Sequence, residues 1–272
     1  MNPPVQKITS LTNDRIKELV RLRKRRERDR RGLVIIEDAL VIRRALAARY
    51  PLQTLFFCPG MVPGSDRDLL EALLADPGLQ HFEVTAPVMA KAAYREDSDG
   101  LLVLAGQVKP GLEDLVPARG GPPLLVVLEG VEKPGNLGAV QRVADGAGAD
   151  GVIVCGGGTD PFNPNALRAS RGACFTMPTV QATTGEAIRW LKSRGIRLIA
   201  ASPEGGRPWD GVDLAGPAAI ILGTEHDGLS PESLAAADLR VTIPMLGRGD
   251  SLNVSTSAAI ILYEAVRRRR AG

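Results

Sequence analysis

The apolar positions of this chain alternate between short unbroken runs and stretches that repeat at helical spacing. In the first part, residues 33–36, 52–58, 82–84 and 101–105 are runs that predict strands, and 38–49, 68–74 and 88–94 predict helices between them. Within 38–49, Ala39, Ile42, Ala45 and Leu46 take the inward positions. The alternation predicts a compact α/β unit over residues 1–109. Residues 110–123, dense in Pro and Gly, read as a flexible linker. The pattern restarts over 124–272. Strands are expected at 124–128, 151–154, 197–201 and 217–222, and helices at 139–147, 185–193 and 258–266, with another opening at Ser230-Pro231. Continuous apolar strands between helices predict a parallel sheet covered on both faces, which binds ligands beyond its carboxyl ends. The polar stretches after residues 128, 154, 222 and 243 all fall at such ends.

One of these stretches, 243–257, leaves a strand, crosses a loop with Gly247 and Gly249, and meets an apolar helix through small polar residues. Such groups at a helix start either cap the backbone or hold a polar ligand, and the stretch alone leaves both open.

Charge changes the picture at the N-terminal end. The net charge is only +3, yet residues 7–31 hold a dense set of Lys and Arg with few acids to balance it. Ile16, Leu19, Val20 and Leu22 fall at helical spacing there, so one amphipathic helix is expected from about Asn13 onward, with Asn13 or Thr12 as its N-cap. A basic face of this kind is either a solvated surface or, as the shortage of acids favours, a contact for nucleic-acid phosphates, with Lys17, Arg21, Lys24 and Arg25 as candidates; its narrow apolar side argues against a membrane surface. The run Arg267–Arg270 reads instead as a solvated helix end favoured by the helix dipole.

Composition narrows the classes. With 44% hydrophobic and 24% charged residues, no apolar run of membrane length and no signal-peptide core, the chain reads as soluble and cytoplasmic. Its three cysteines lie far apart and fit buried thiols in a reducing compartment. No GxGxxG follows a strand and no GKS or GKT occurs, which disfavours dinucleotide and P-loop sites. Glu225-His226-Asp227 is a poor metal set, because neighbours on a turn rarely converge on one ion and the chain has only two histidines. No GxSxG elbow marks a serine hydrolase.

What remains is a set of polar strand ends with fixed Asn, Glu, Ser and Arg side chains. Asn136-Leu137-Gly138-Ala139-Val140-Gln141-Arg142 resembles the first motif of the SpoU (TrmH) family of RNA ribose 2′-O-methyltransferases. Leu222–Leu229 resembles its second motif; Ile243-Pro244-Met245 with Ser251–Ser255 resembles its third. The first part of the chain is similar to the substrate-binding domain that often precedes this catalytic domain, an α/β fold akin to kink-turn-binding ribosomal proteins. It departs from that pattern at Glu37-Asp38, where the family usually has Glu-Gly.

The resemblance implies an α/β catalytic domain of the SPOUT type, with its C-terminal segment threaded into a deep trefoil knot, working as a homodimer. It implies S-adenosylmethionine held largely by backbone groups at Gly223, Ile243 and Leu252, with Ala201, Ser202 and Met245 as neighbours. A glycine at 223 is expected because a backbone without Cβ lets the ligand approach closely. Arg142 is the implied central catalytic residue, gripping phosphate and stabilising the developing alkoxide. Asn136 would orient Arg142 or the ribose, Glu225 the loop, and Ser251 and Asn253 would hydrogen-bond the ribose or Arg142. Arg171 is a further candidate RNA contact. The implied substrate is structured RNA, ribosomal RNA ahead of transfer RNA, with no metal. The contrasting expectation is a non-catalytic RNA-binding or ribosome-assembly protein that kept the fold.

Overall fold

A computed structural model describes residues 5–115, 117, 120–157, 159–203, 205–224 and 227–271, and these form two compact units. The first runs to Val108 and also takes in Phe162–Phe175; the second holds Lys109–Pro161 and the chain from Thr176 onward. The linear boundary expected at 124–272 therefore needs one correction: Phe162–Phe175, lying between two strands of the second unit, packs with the first.

The first unit contains β1 (Gln6–Ile8), α1 (Asp14–Arg21), α2 (Arg25–Arg31), β2 (Leu33–Glu37), α3 (Ala39–Ala47), β3 (Leu52–Phe57), α4 (Arg67–Ala75), β4 (Gln80–Val84), α5 (Ala86–Ala92) and β5 (Leu101–Gly106). Its sheet has the order β1-β4-β3-β5-β2; β4 pairs parallel with β1 and β3, and β5 pairs antiparallel with β3 and β2. Successive residues of each strand face opposite sides. Thus Val34, Ile36, Leu55 and Phe57 enter one core with α3 and α4, whereas Ile35, Phe56 and Phe82 enter another with α1 and α5.

The single basic helix expected from Asn13 is in fact two. Asn13 does cap α1, accepting from the Arg15 N–H at 2.9 Å, but the helix stops at Arg21. Its last turn leaves carbonyls without intrahelical donors. The Arg28 guanidinium, only 2% exposed, turns back and donates to the carbonyls of Leu22 and Arg23 at 2.8 Å each. Arg23 in turn donates to the carbonyls of Lys91 and Ala93. Periodicity could not show this break, because it is stabilised by guanidinium bonds to backbone carbonyls, those of Arg23 reaching far along the chain. Asp38 also finds its explanation: φ is +86°, a backbone state that favours glycine, and its carboxylate accepts from the N–H groups of Leu40 and Val41 to cap α3.

The second unit opens with β6 (Leu124–Glu129), α6 (Pro134–Ala147) and β7 (Gly151–Cys155). Then α7 (Pro164–Ser170) joins the first unit, where Leu167 enters the core of Val34 and Ile36. The second unit resumes with β8 (Thr179–Gln181), α8 (Thr184–Ser193), β9 (Arg197–Ala201), β10 (Arg207–Pro208), β11 (Ala218–Leu222), α9 (Pro231–Ala236), β12 (Leu239–Thr242) and α10 (Val254–Ala271). The sheet order is β10-β12-β9-β11-β6-β7-β8, parallel at every pairing. Side chains from α8 and α9 cover the face of Leu125, Val127, Leu198 and Ala219, while α6 and α10 pack together on the other.

Within the expected linker, Leu115 is buried in the core of the second unit, and Arg194 pairs with Glu113. One expectation about the chain's last helix is corrected here. The Arg267–Arg270 run is not simply solvated. Arg267 and Arg268 both pair with the buried Glu264, at 2.7 and 2.6 Å. Arg269 donates to the carbonyls of Pro122, Pro123, Leu214 and Gly216, clamping the chain entering β6 against α10.

Candidate active site

Parallel pairing brings the carboxyl ends of β12, β9, β11 and β6 side by side. A cavity opens where the first three end. Ala201, Ser202, Gly223, Ile243, Met245 and Leu252 line it, together with Ser251 and Asp250, above an apolar floor of Leu222 and Val241. The six residues expected around the methyl donor thus stand around one space.

The reason for glycine at 223 differs from the expected one. A Cβ there would sit 2.1 Å from the carbonyl oxygen of Gly228, so the turn's own backbone excludes a side chain before any ligand arrives. The Thr224 N–H donates to that same carbonyl at 3.0 Å, and the Asp227 N–H donates to Thr224 Oγ1 at 2.8 Å. Gly130, with φ +67°, lies against this turn: a Cβ there would meet Thr224 Cγ2 at 2.9 Å. The ends of β6 and β11 are therefore pressed together without room for a further atom.

Beside the first cavity lies a second, lined by Gly130, Val131, Lys133, Asn136 and Asp227. Gly223, Thr224 and Val254 belong to both. Asn136 stands in the first turn of α6, which starts at Pro134, earlier than expected, because Pro at N1 needs no hydrogen-bond donor. Its Oδ1 accepts from Asn253 Nδ2 at 3.1 Å. Asn253 Oδ1 meanwhile accepts from the N–H and hydroxyl of Ser255, at 3.0 and 2.7 Å, capping α10. Asn253 caps the helix with its oxygen and bonds Asn136, in the second cavity's wall, with its nitrogen.

Other expected residues are distributed as follows. Arg142 is exposed on α6, outside the lining of both cavities, with no hydrogen bond or ion pair among the described residues. Glu225 lies outside the described residues. Arg171 ends α7 with φ +51°, exposed, in the first unit. Lys17 pairs with Asp14 at 2.9 Å and Arg25 with Asp29 at 3.5 Å, whereas Arg21 and Lys24 are exposed and form no pair among the described residues. Arg26, not singled out from the sequence, is equally exposed and unpaired among them.

Sequence reasoning also missed Glu129. It is 7% exposed and accepts from the N–H and hydroxyl of Ser230, at 2.9 and 2.8 Å, and from the Thr184 hydroxyl at 2.9 Å. Burial pushes its carboxyl up, but the Ser230 and Thr184 donors together hold it below the usual range. An acid ending an otherwise apolar strand was the signal available. Cys155 and Cys174 are inert by contrast, each thiol pushed up to about 12 by burial. No group of three metal-ligating side chains comes together among the described residues, and none of the described helices is long and apolar enough to cross a membrane.

Known proteins share this arrangement. Residues 123–263 match the SpoU rRNA Methylase family, and residues 13–103 match the MRM3-like substrate binding domain. An uncharacterized tRNA/rRNA methyltransferase of Mycobacterium tuberculosis is 35% identical over 87% of this chain and 82% of its own. A crystal structure of an RNA 2′-O ribose methyltransferase superposes with a TM-score of 0.84 at 40% identity, covering 97% of this chain and all (100%) of that one. The AdoMet-bound rRNA methyltransferase of Sinorhizobium meliloti superposes at 0.86 with 31% identity, covering 97% and 98%. With the family match spanning more than half of its length, and the three motifs gathered at neighbouring strand ends, the chain belongs to the SpoU rRNA methylase family.

Proposed function

We propose that this chain transfers the methyl group of S-adenosylmethionine to a ribose 2′-hydroxyl of ribosomal RNA. The observation that carries the reading is the pair of cavities meeting at Gly223–Thr224, with Asn253 bonded to Asn136 across the motifs that line them. The first cavity suits the donor: apolar walls at Ile243, Met245 and Leu252 for the adenine, backbone groups at strand ends, and one carboxylate for a cation. S-adenosylmethionine supplies an activated methyl group on a sulfonium. The second cavity, with Asn136 in its wall, takes the target ribose.

An alcohol is a poor nucleophile, so the protein's contribution is alignment and stabilisation of the oxygen as it loses its proton. Asn136 is held by Asn253 and is positioned to orient the ribose. Arg142 acts as a cation, gripping the neighbouring phosphate and stabilising the developing alkoxide. Ser251 adds a hydroxyl at the donor cavity, and Glu225 is assigned to the second motif's loop from the sequence motif. Arg21, Lys24 and Arg26, with Arg171, supply phosphate contacts from the first unit; Lys17 and Arg25 add weaker ones, since each already has a carboxylate partner. Transfer RNA is the second-choice substrate.

In this reading the enzyme works in the cytoplasm as a homodimer whose second copy completes the site. The nearly wholly exposed Leu246 and the half-exposed Tyr263 of α10 favour a partner surface on the second unit. The path from Ile243 to Asn253, past the ends of β9 and β11, followed by the return of α10 onto α6, favours a knotted segment. Calorimetric titration with S-adenosylmethionine tests the reading. Saturable binding is expected for the full chain and its loss in Gly223→Ala, whereas no binding to the full chain at millimolar ligand would leave only a non-catalytic RNA binder.

A further inference from the structure

Of the described residues lining the cavity at the ends of β9, β11 and β12, Asp250 is the one with an ionisable side chain. The others are small, apolar or hydroxyl-bearing. Asp250 belongs to the irregular path between β12 and α10, is exposed, and makes no hydrogen bond or ion pair with the described residues. Among the described residues this carboxylate has no partner and caps no helix, and it stands in the cavity's lining.

We infer that Asp250 recognises the sulfonium charge of the methyl donor and thereby distinguishes S-adenosylmethionine from its demethylated product. The inference rests on the donor reading of this cavity. Donor and product share the adenosine, the ammonium and the carboxylate; they differ in one methyl and one positive charge. On transfer the C–S bond breaks with its electron pair left on sulfur, a C–O bond forms to the ribose oxygen, and the hydroxyl proton leaves to solvent. The sulfonium becomes a neutral thioether, so the attraction to Asp250 ends with the reaction. Donor binding is strengthened relative to product, and product leaves more readily. Because Asp250 is exposed, the effect is screened by salt over a Debye length of about 8 Å at physiological ionic strength.

Calorimetry on the full-length wild type and Asp250→Asn, with S-adenosylmethionine and S-adenosylhomocysteine in parallel, tests this. The variant should keep the wild-type melting temperature and weaken donor binding about tenfold, within what one unit charge supplies in a half-open site. Product binding should stay within about twofold, since the product lacks the charge. Asp250→Glu should restore most of the donor affinity, and raised salt should reduce the wild-type preference. Unchanged donor affinity would overturn the inference. So would equal weakening of both ligands, because the carboxylate would then face the ammonium they share. Wild type binding neither ligand would overturn the donor reading itself, and this inference with it.

Discussion

Asn253 shows how one side chain serves stability and function together. Its oxygen secures the first turn of α10, and its nitrogen fixes Asn136 on α6, so the wall between the cavities is rigid before substrate arrives. The Asn, Ser and Gly of these motifs were legible in the sequence because capping and ligand binding call for the same residue types. Glu129 was not, because its partners Ser230 and Thr184 are far along the chain. Glu129→Gln leaves the three donors with a poorer acceptor. It should lower unfolding free energy by about 1–3 kcal/mol, read from urea denaturation. An unchanged midpoint would show that the carboxylate does not hold the start of α9.

Most apolar strand runs and amphipathic helices could be read from periodicity, because each buries one face, but the seven-residue α7 was not among the expected helices. The strands β1, β8 and β10, of three, three and two residues, carry too little pattern to be seen. Helix ends set by guanidinium bonds to backbone carbonyls, such as the break between α1 and α2, also escaped. Arginines also determine how α10 behaves in acid. Hydrogen bonds from Arg267, with burial opposing and Arg268 assisting, hold the Glu264 carboxyl well down, at about 2. A carboxyl depressed in the fold contributes stability that is fully present above its ordinary range, near 4.5, and is lost as pH falls toward 2. Melting temperature should therefore fall between about pH 5 and pH 2 more steeply in wild type than in Glu264→Gln. Parallel curves would remove Glu264 from the acid response.

At the scale of the molecule, the alternation of strand and helix showed a parallel sheet and placed the candidate site beyond its carboxyl ends. Strand order was not legible, because the sequence does not say which strands become neighbours. That order places β9 and β11 between β12 and β6, which brings the three motifs together. Nor could the sequence show that Phe162–Phe175 packs with the first unit, since hydrophobic pattern reports burial without naming the partner. The basic character of the first unit was visible, but the pairing that leaves Arg21, Lys24 and Arg26 exposed required the fold. The most direct measurement is incubation of the full chain with S-adenosylmethionine labelled in its methyl group and unmodified ribosomal RNA, followed by digestion to nucleosides. Label should appear in a single 2′-O-methylnucleoside, and Arg142→Ala should abolish it while still binding the donor. Label on a base, or none in RNA despite saturating donor, would contradict ribose methylation by this site.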